Sequence, residues 1–410
     1  MDQFQFEWII DPIGEKEFYS KFYEKKICRI ERTNADYYKS LLSLEVVDEV
    51  LHSQKLSYPK INMVNSGVET PIDAELFTSS NGETINSAKL LKQFAEGASI
   101  VLSGLHDHVS SLGTFVDYMF KHFSHKFQTN VYLTPANSQG FKTHYDTHDV
   151  FILQIEGSKK WRIYNNPIEL PLQSQPYNDE GEPGELQEEF ILNAGDMLYI
   201  PRGVMHDAES NEEISLHITG GLLGYTWTDF LIESILHLAK SDVEFRKFIP
   251  IGFAVQQKDD EANVHFKKLL SALAERGKPE EGLDRFFYEL MADKGPNLLG
   301  QLNQINLLPK ISLESEVMVR SNLIYKVTEN DDKVIIHLFG QEIEFPAFTK
   351  PVMEFIDHHK NFKVSEIPDC MDQEGKVVFV KRLVKEGLLF ITNHGTTEKP
   401  LPELSNSLKS

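Results

Sequence analysis

Cysteine is scarce in this sequence. Only Cys28 and Cys370 occur in 410 residues, far apart and without metal-binding spacing. A disulfide framework and a cysteine-based zinc module are thereby excluded, and a reduced, cytoplasmic setting fits best. Long apolar runs are also missing. None approaches the roughly 20 residues that a membrane helix needs, so no span is expected. Met1 to Glu7 lack the basic-then-apolar order of a secretory signal. Basic charge is outnumbered, with 41 lysines and arginines against 62 acids and a net charge of −21. Broad nucleic-acid binding draws its affinity from neutralised phosphates, and this balance argues against it. The acidity is compatible with a basic protein as partner, or with nothing more than solubility. What remains, 41% hydrophobic and 25% charged residues, is ordinary for a globular chain. The length allows two or three domains with sizeable cores.

The texture changes along the chain. Residues 1–125 mix helices with short strands. Glu15 to Lys25 carries Phe18, Phe22 and Tyr23 at helical spacing. Ser43 is placed to cap a helix from Leu44 to Leu51. Ser87 to Phe94 and Gly113 to Phe123 read as further helices, and Ser99 to Leu102 as a strand. From Lys126 to about Gly221, β-rich runs alternate with turns. The runs are Asn130 to Leu133, Asp149 to Ile155, Lys160 to Tyr164, Met197 to Ile200 and Ile214 to Ile218. Gly157, Pro167, Gly195-Asp196 and Pro201-Arg202-Gly203 punctuate them. Such a series predicts a barrel or double-sheet jelly roll.

After Gly221 the pattern turns helical. Trp227, Phe230, Leu231, Ile235 and Leu238 form one apolar stripe behind Thr226 and Thr228, either of which can cap. Ala262 to Glu275 and Glu280 to Asp293 add two helices, so residues 223–305 read as an appended bundle. In residues 306–395, Lys333 to Leu338 is a strand, and Pro351 to Ile356 and Val377 to Val384 are helices. Leu388 to Ile391 is a closing strand after Gly387. Helix, helix, strand in this compass resembles a winged-helix module. Nine acids against seven bases over residues 341–395 leave it without the footprint of a DNA reader. The polar tail, residues 396–410, is expected to be disordered. The class is therefore α+β.

One constellation carries chemistry. His144-Tyr145-Asp146 is answered by His206, which follows Gly195-Asp196 and Pro201-Arg202-Gly203. Residues two apart on a strand share a face, so His144 and Asp146 can point together into a barrel. The later run can deliver a second imidazole from the neighbouring strand. Two imidazoles and one carboxylate suit a redox-active iron(II) with open positions. A bare His-x-Asp is common by chance, so the surrounding block decides.

That block is Asn130 to Pro135, Gly140 to Phe151 and Gln154 to Trp161, with Gly195 to His206 and Ser215 to Thr219. It resembles the JmjC-type ribosomal oxygenases, the cupin 4 group. The resemblance implies a double-stranded β-helix (jelly-roll/cupin) catalytic domain over residues 1–222, its barrel core at about 126–222. It also implies a helical dimerisation region and thus a homodimer. The implied activity is Fe(II)- and 2-oxoglutarate-dependent hydroxylation of a histidine or arginine side chain of a ribosomal protein; the alternatives are the same chemistry as a demethylase or on a small molecule, or a non-catalytic metal-binding cupin scaffold. The implied metal ligands are His144, Asp146 and His206. Lys159 is the implied anchor for the distal carboxylate of 2-oxoglutarate, with Lys160 the competing choice by strand alternation. Asn130, Tyr132 and Thr219 are implied to line the co-substrate pocket, with His217 at the parity of Thr219. His148 shares the parity of His144 and Asp146, but the family does not use it as a ligand. Trp161 and Phe151 are expected in the core. The acidic run from Asp179 to Glu189 is either a guide for a basic ribosomal tail or a solvated loop.

Overall fold

Strands covered on both faces read as near-continuous apolar runs. Val150-Phe151-Ile152-Leu153 is such a run because two cores meet across it. Val150 and Ile152 join one apolar cluster, while Phe151 and Leu153 join another. The computed structural model describes residues 4–67, 72–178, 183–255, 259–293 and 295–393. Part of the expected acidic guide, residues 179–182, and the tail from residue 394 lie outside them. The chain divides into two compact units, residues 1–224 and 225–410.

The first unit opens with helices α1 (Phe6–Ile10) and α2 (Glu15–Lys21), strand β1 (Cys28–Ile30), helix α3 (Leu44–Ser53) and strand β2 (Ile61–Val64). Helix α4 (Ser87–Ala95), strand β3 (Ser99–Ser103) and helix α5 (Ser110–Phe123) follow. Then come β4 (Lys126–Thr134), β5 (Asp149–Glu156), β6 (Ser158–Tyr164), β7 (Leu186–Asn193), β8 (Met197–Ile200), β9 (His206–Ser210) and β10 (Ser215–Leu223). Ser43 caps α3 as expected, its hydroxyl accepting from the Val46 N–H. The strands form a seven-stranded sheet, β1-β8-β5-β10-β4-β3-β2, and a three-stranded sheet, β7-β6-β9. Pairing is antiparallel in both. Two sheets with a core between them make the expected jelly roll.

The outer face of the large sheet carries Phe151, Leu153, Leu216 and Ile218. It packs with Phe6, Phe18 and Phe115 of the N-terminal helices. The inner face meets the small sheet through Ile152, Leu198, Trp161, Phe190 and Leu192. Gly157 carries the chain from one sheet to the other. Its φ is +64°, and an added Cβ would stand 2.1 Å from the Ile214 carbonyl oxygen, so no other residue fits.

The second unit comprises α6 (Trp227–Ser241), α7 (Asp259–Arg276), α8 (Pro279–Asp293) and α9 (Gln301–Leu307). Strands β11 (Glu316–Val319), β12 (Lys326–Glu329), β13 (Lys333–Leu338) and β14 (Gln341–Pro346) come next. Helix α10 (Lys350–His358), strand β15 (Asn361–Lys363), helix α11 (Gln373–Lys385) and strand β16 (Leu389–Asn393) complete it. Its sheets run β12-β13-β14 and β15-β11-β16. The expected helix, helix, strand series is α10, α11 and β16, with the unforeseen β15 between the helices. Of the two candidate caps Thr226 is the one used, in a reciprocal box with Asp229. The expected single stripe on α6 is split. Ser234 and Leu238 are buried, with Phe230 and Ser234 against Gly282 of α8. Trp227, Leu231 and Ile235 turn outward with Ile232 and Leu236. The helix is apolar on two faces, and the described residues cover only one. No described helix is long and apolar enough to cross a membrane.

Candidate metal centre and co-substrate pocket

The candidate metal ligands are brought together by a broken strand. β8 ends at Ile200, and Pro201-Arg202-Gly203 turns the chain before β9 begins at His206. Gly203 has φ +87°, and a Cβ there would lie 2.3 Å from the Ile168 carbonyl oxygen. Its N–H donates to the Asp146 carbonyl at 3.0 Å. Three residues on, the His206 N–H donates to the His144 carbonyl at 2.8 Å, and the His144 N–H returns to the His206 carbonyl at 3.0 Å. The two histidines are therefore one hydrogen-bonded antiparallel pair.

This arrangement corrects one expectation. His144 and Asp146 were expected to share a strand, whereas residues 141–148 lie outside any regular strand and make one isolated bridge, His144 with His206. The ladder stops there because the partner chain is β9 only from its first residue. Before His206 it is the Gly203 turn, which grips Asp146 by a single bond.

The side chains nevertheless converge. One donor atom from each of His144, Asp146 and His206 lies within 4.8 Å of the others. The two imidazole centroids are 4.7 Å apart, and His206 Nε2 is 3.8 Å from an Asp146 oxygen. His144 Nδ1 is 2.8 Å from the Lys142 carbonyl, and His206 Nδ1 is 2.9 Å from the Val204 carbonyl. A carbonyl only accepts, so each Nδ1 carries the proton and each Nε2 keeps its lone pair for a metal. Burial, followed by the neighbouring His144, pushes His206 down to about 4 and holds it in the neutral form that a metal requires. Two neutral nitrogens and a carboxylate fit iron(II) and leave coordination positions for other ligands.

The ligands open on a cavity of about 270 Å³ that Asn130, Tyr132, Lys159 and Thr219 also line. Alternation along β6 decides between the two lysines. Lys159 is 4% exposed and reaches the cavity, while its neighbour Lys160 is half-buried. Lys159 Nζ donates to Thr134 Oγ1 at 3.0 Å. Burial alone lowers this ammonium to about 7. Strand β10 faces β4 in register, pairing Thr219 with Asn130 and His217 with Tyr132. The Tyr132 and His217 rings stack at 4.8 Å and 10°. Burial, then the charge of Asp146, raises the Tyr132 hydroxyl above its usual range, so it stays protonated. Burial, then the Lys159 charge, keeps His217 neutral.

Two polar atoms on this wall have no hydrogen-bond partner among the described residues: His217 Nδ1 and Trp161 Nε1. A buried polar atom without a partner costs about 1–3 kcal/mol, so the wall is built for a polar guest. An anionic co-substrate fits this donor set. Trp161 is thus more than the core residue expected, since it belongs to the inner apolar cluster and also lines the cavity. Phe151 is fully buried, as expected. His148 lines the cavity but falls outside the ligand group. Its ring packs on Gly221, where an added Cβ would come within 2.8 Å of it. Thr134 was missed, although it shares the parity of Tyr132 and Asn130. Asp207 was missed because its partners are distant in sequence.

Residues 108–230 match the JmjC domain. Over 94% of its length the chain is 28% identical to ribosomal oxygenase 1 of Danio rerio, covering 79% of that protein. It is 34% identical to the Homo sapiens ribosomal oxygenase 1 over 60% of this chain, and spans only 40% of that protein. It is 27% identical to the Dictyostelium discoideum bifunctional lysine-specific demethylase and histidyl-hydroxylase NO66, over 93% of this chain and 81% of that one. The solved structure of Escherichia coli ribosomal oxygenase YcfD has the same fold, with a TM-score of 0.52 at 14% identity, and covers 92% of this chain and 98% of its own. YcfD in complex with cobalt and 2-oxoglutarate matches with a TM-score of 0.50 at 14% identity, covering 92% of this chain and 97% of its own. Residues 108–230 are therefore a JmjC domain, in a chain homologous to proteins named ribosomal oxygenase 1 and NO66.

Proposed function

We propose that this protein is an Fe(II)- and 2-oxoglutarate-dependent oxygenase that hydroxylates a histidine or arginine side chain of a ribosomal protein. The observation that carries the reading is the His144, Asp146 and His206 group opening on the cavity that also holds the buried Lys159 ammonium. Homology to ribosomal oxygenases supports the choice of substrate class.

Iron with 2-oxoglutarate supplies the oxidation itself, coupling oxygen use and decarboxylation to succinate to the insertion of one oxygen atom into a C–H bond. The chain's own residues do the rest. His144 and His206 present Nε2 because backbone carbonyls hold their Nδ1 protons. Asp146 supplies the one anionic ligand. Lys159 and the Thr134 hydroxyl receive the distal carboxylate, and a charge-assisted bond of that kind contributes about 1.5–3 kcal/mol. Lys159 would hold a proton on Nζ beside such a carboxylate, because an opposite charge favours the ammonium. Tyr132, Asn130 and Thr219 orient the guest from β4 and β10. Val150 and Ile152 of β5 give the cavity an apolar side that would exclude water.

We further assign the exposed apolar residues Trp227, Leu231, Ile232, Ile235 and Leu236 on α6 to contact with a second copy, giving a homodimer. The α10, α11 and β16 region is read as a winged-helix-like module with no DNA role, and the free thiols fit a cytoplasmic setting.

The test compares intact masses of ribosomal proteins from cells with and without this gene, together with succinate release by the iron-loaded protein. The expected result is one extra oxygen atom on one ribosomal protein. No turnover with any ribosomal protein in an iron-replete sample overturns the reading. Because some homologues are also named demethylases, the same masses discriminate. A lysine demethylase removes methyl groups rather than adding oxygen.

A further inference from the structure

Both histidine ligands have a hydrogen-bonding neighbour in sequence. Thr143 precedes His144, and Asp207 follows His206. Thr143 Oγ1 donates to Asp207 Oδ2 at 2.7 Å. The Asp207 carboxylate is buried, and β6 supplies its other donors. Tyr164 donates its hydroxyl to Oδ2 at 2.8 Å, and Arg162 donates Nη1 to Oδ1 at 2.7 Å. Arg162 also pairs with Glu209 and Glu189. The acceptor is thus fixed from the β6 side by two bonds that do not involve the ligand segment.

The ligand segment is held by single contacts rather than by a strand ladder. Residues 141–148 belong to no regular strand. Its backbone ties include the His144–His206 pair, the Gly203 N–H to the Asp146 carbonyl, and the Gln139 side-chain amide to the Phe141 carbonyl at 2.9 Å. The Tyr145 hydroxyl reaches the Gln175 carbonyl at 3.1 Å. The Thr143–Asp207 bond lies beside the His144–His206 backbone pair, a side-chain rung next to a main-chain rung. A hydroxyl donating to a buried carboxylate is charge-assisted and directional. It restrains the residue next to His144 relative to the residue next to His206.

We propose that Asp207 is a positioning residue of the metal centre. Through Thr143 it fixes the placement of His144 against His206 before the metal arrives, and so raises metal affinity. The inference rests on the metal reading of His144, Asp146 and His206. Preorganised ligands bind more tightly because less ordering remains to be done on binding.

The test titrates cobalt(II) into the full-length, metal-free protein and follows its visible absorption, with thermal melts of the same samples. Thr143→Val removes the hydroxyl while keeping the shape. It is expected to weaken cobalt binding about tenfold or more, the scale of losses from outer partners of metal ligands, and to shift the absorption bands. Thr143→Ser restores the hydroxyl and is expected to restore both. Tyr164→Phe removes a bond to the same carboxylate oxygen from the β6 side. It is expected to lower the metal-free melting midpoint while leaving cobalt affinity near wild type. If Thr143→Val does not fold, Asp207→Asn carries the comparison and is expected to weaken cobalt binding likewise. Wild-type affinity and spectrum in Thr143→Val overturn the proposal. So does a Tyr164→Phe variant that loses as much affinity as Thr143→Val, because the effect would then be general destabilisation. A wild-type protein that binds no cobalt defeats the metal reading itself, and this inference with it.

Discussion

In residues 1–224 the groups left unmatched are mainly polar and hidden. In residues 225–393 they are mainly apolar and exposed. The JmjC cavity buries an ammonium with one hydroxyl for company, and an imidazole and an indole nitrogen with no partner among the described residues. In the second unit the buried Arg320 Nε lacks a partner among the described residues, but the same guanidinium bonds Leu299 and Gln301. What that unit shows instead is Trp227 at 79%, Phe248 at 99% and Ile251 at 94% exposure. In the first unit the most exposed large apolar residue described is Leu76, at 51%. Each defect names the kind of partner that would cure it. Lone buried polar atoms call for a small polar guest, and a broad exposed apolar face calls for another apolar surface. One unit encloses a cavity with unmatched polar atoms, and the other presents unmatched apolar side chains at its surface.

The largest expected effect breaks the first half of this contrast. His144→Ala removes one imidazole from a half-buried segment outside the sheets, so the cores around β5 and β10 stay whole. Succinate release is expected to fall below detection, while the melting midpoint of the metal-free protein moves little. Full activity in this variant refutes the ligand assignment. The opposite experiment is Ile218→Ala, on the outer face of β10 next to His217. It is expected to cost about 2–5 kcal/mol of stability, read from denaturant unfolding. The protein that remains folded should bind cobalt as wild type does.

The second half of the contrast is tested on α6. Leu231→Asp places a charge on the exposed face and leaves the Ser234 and Leu238 face against the rest of its unit. An interface hot spot carries about 2 kcal/mol or more, so the dimer dissociation constant is expected to rise about 30-fold or more. Light scattering across a dilution series reads it directly. A wild-type protein that is monomeric at every concentration refutes the homodimer.

The contrast also explains what could be read from sequence. The strand Met197–Ile200 and the helix after Ser43 were legible because burial there follows a local period and a local cap. That His144, Asp146 and His206 lie together was expected from the family resemblance, and the turn residues before His206 mark where the strand breaks. β7 was not, since its Leu186 to Glu189 half is exposed and acidic and shows no apolar alternation. The conformation of residues 141–148 was hidden for another reason. It depends on where β9 starts, some sixty residues later, and spacing within the segment carries no trace of that. Asp207 was hidden likewise, because its value lies in the company of Thr143, Tyr164 and Arg162 rather than in any motif. On α6 the periodicity revealed an apolar stripe, but periodicity cannot say which part another element covers.

The smallest effect is set by the proton on Lys159. Burial disfavours the charge of this ammonium and lowers it to about 7, against an ordinary 10.5. The folded, guest-free protein therefore holds fewer protons than the unfolded chain between those two values. Its stability rises with pH across that window, and below about 7 the full cost of the buried cation is present. Lys159→Met removes the cost, so it should raise the guest-free melting midpoint more at pH 6 than at pH 9. Binding of 2-oxoglutarate runs the other way. The guest needs the charged lysine, so each binding event above pH 7 takes up a proton. Affinity should then fall by about tenfold from pH 6 to pH 8, one decade for the one pH unit beyond 7. His217 adds nothing in this range, since burial and then Lys159 hold it neutral. Calorimetry at pH 8 in two buffers of different ionisation enthalpy counts the protons. Uptake near one supports Lys159 as the anchor, while no uptake with undiminished affinity would mean that the cavity binds its guest without this ammonium.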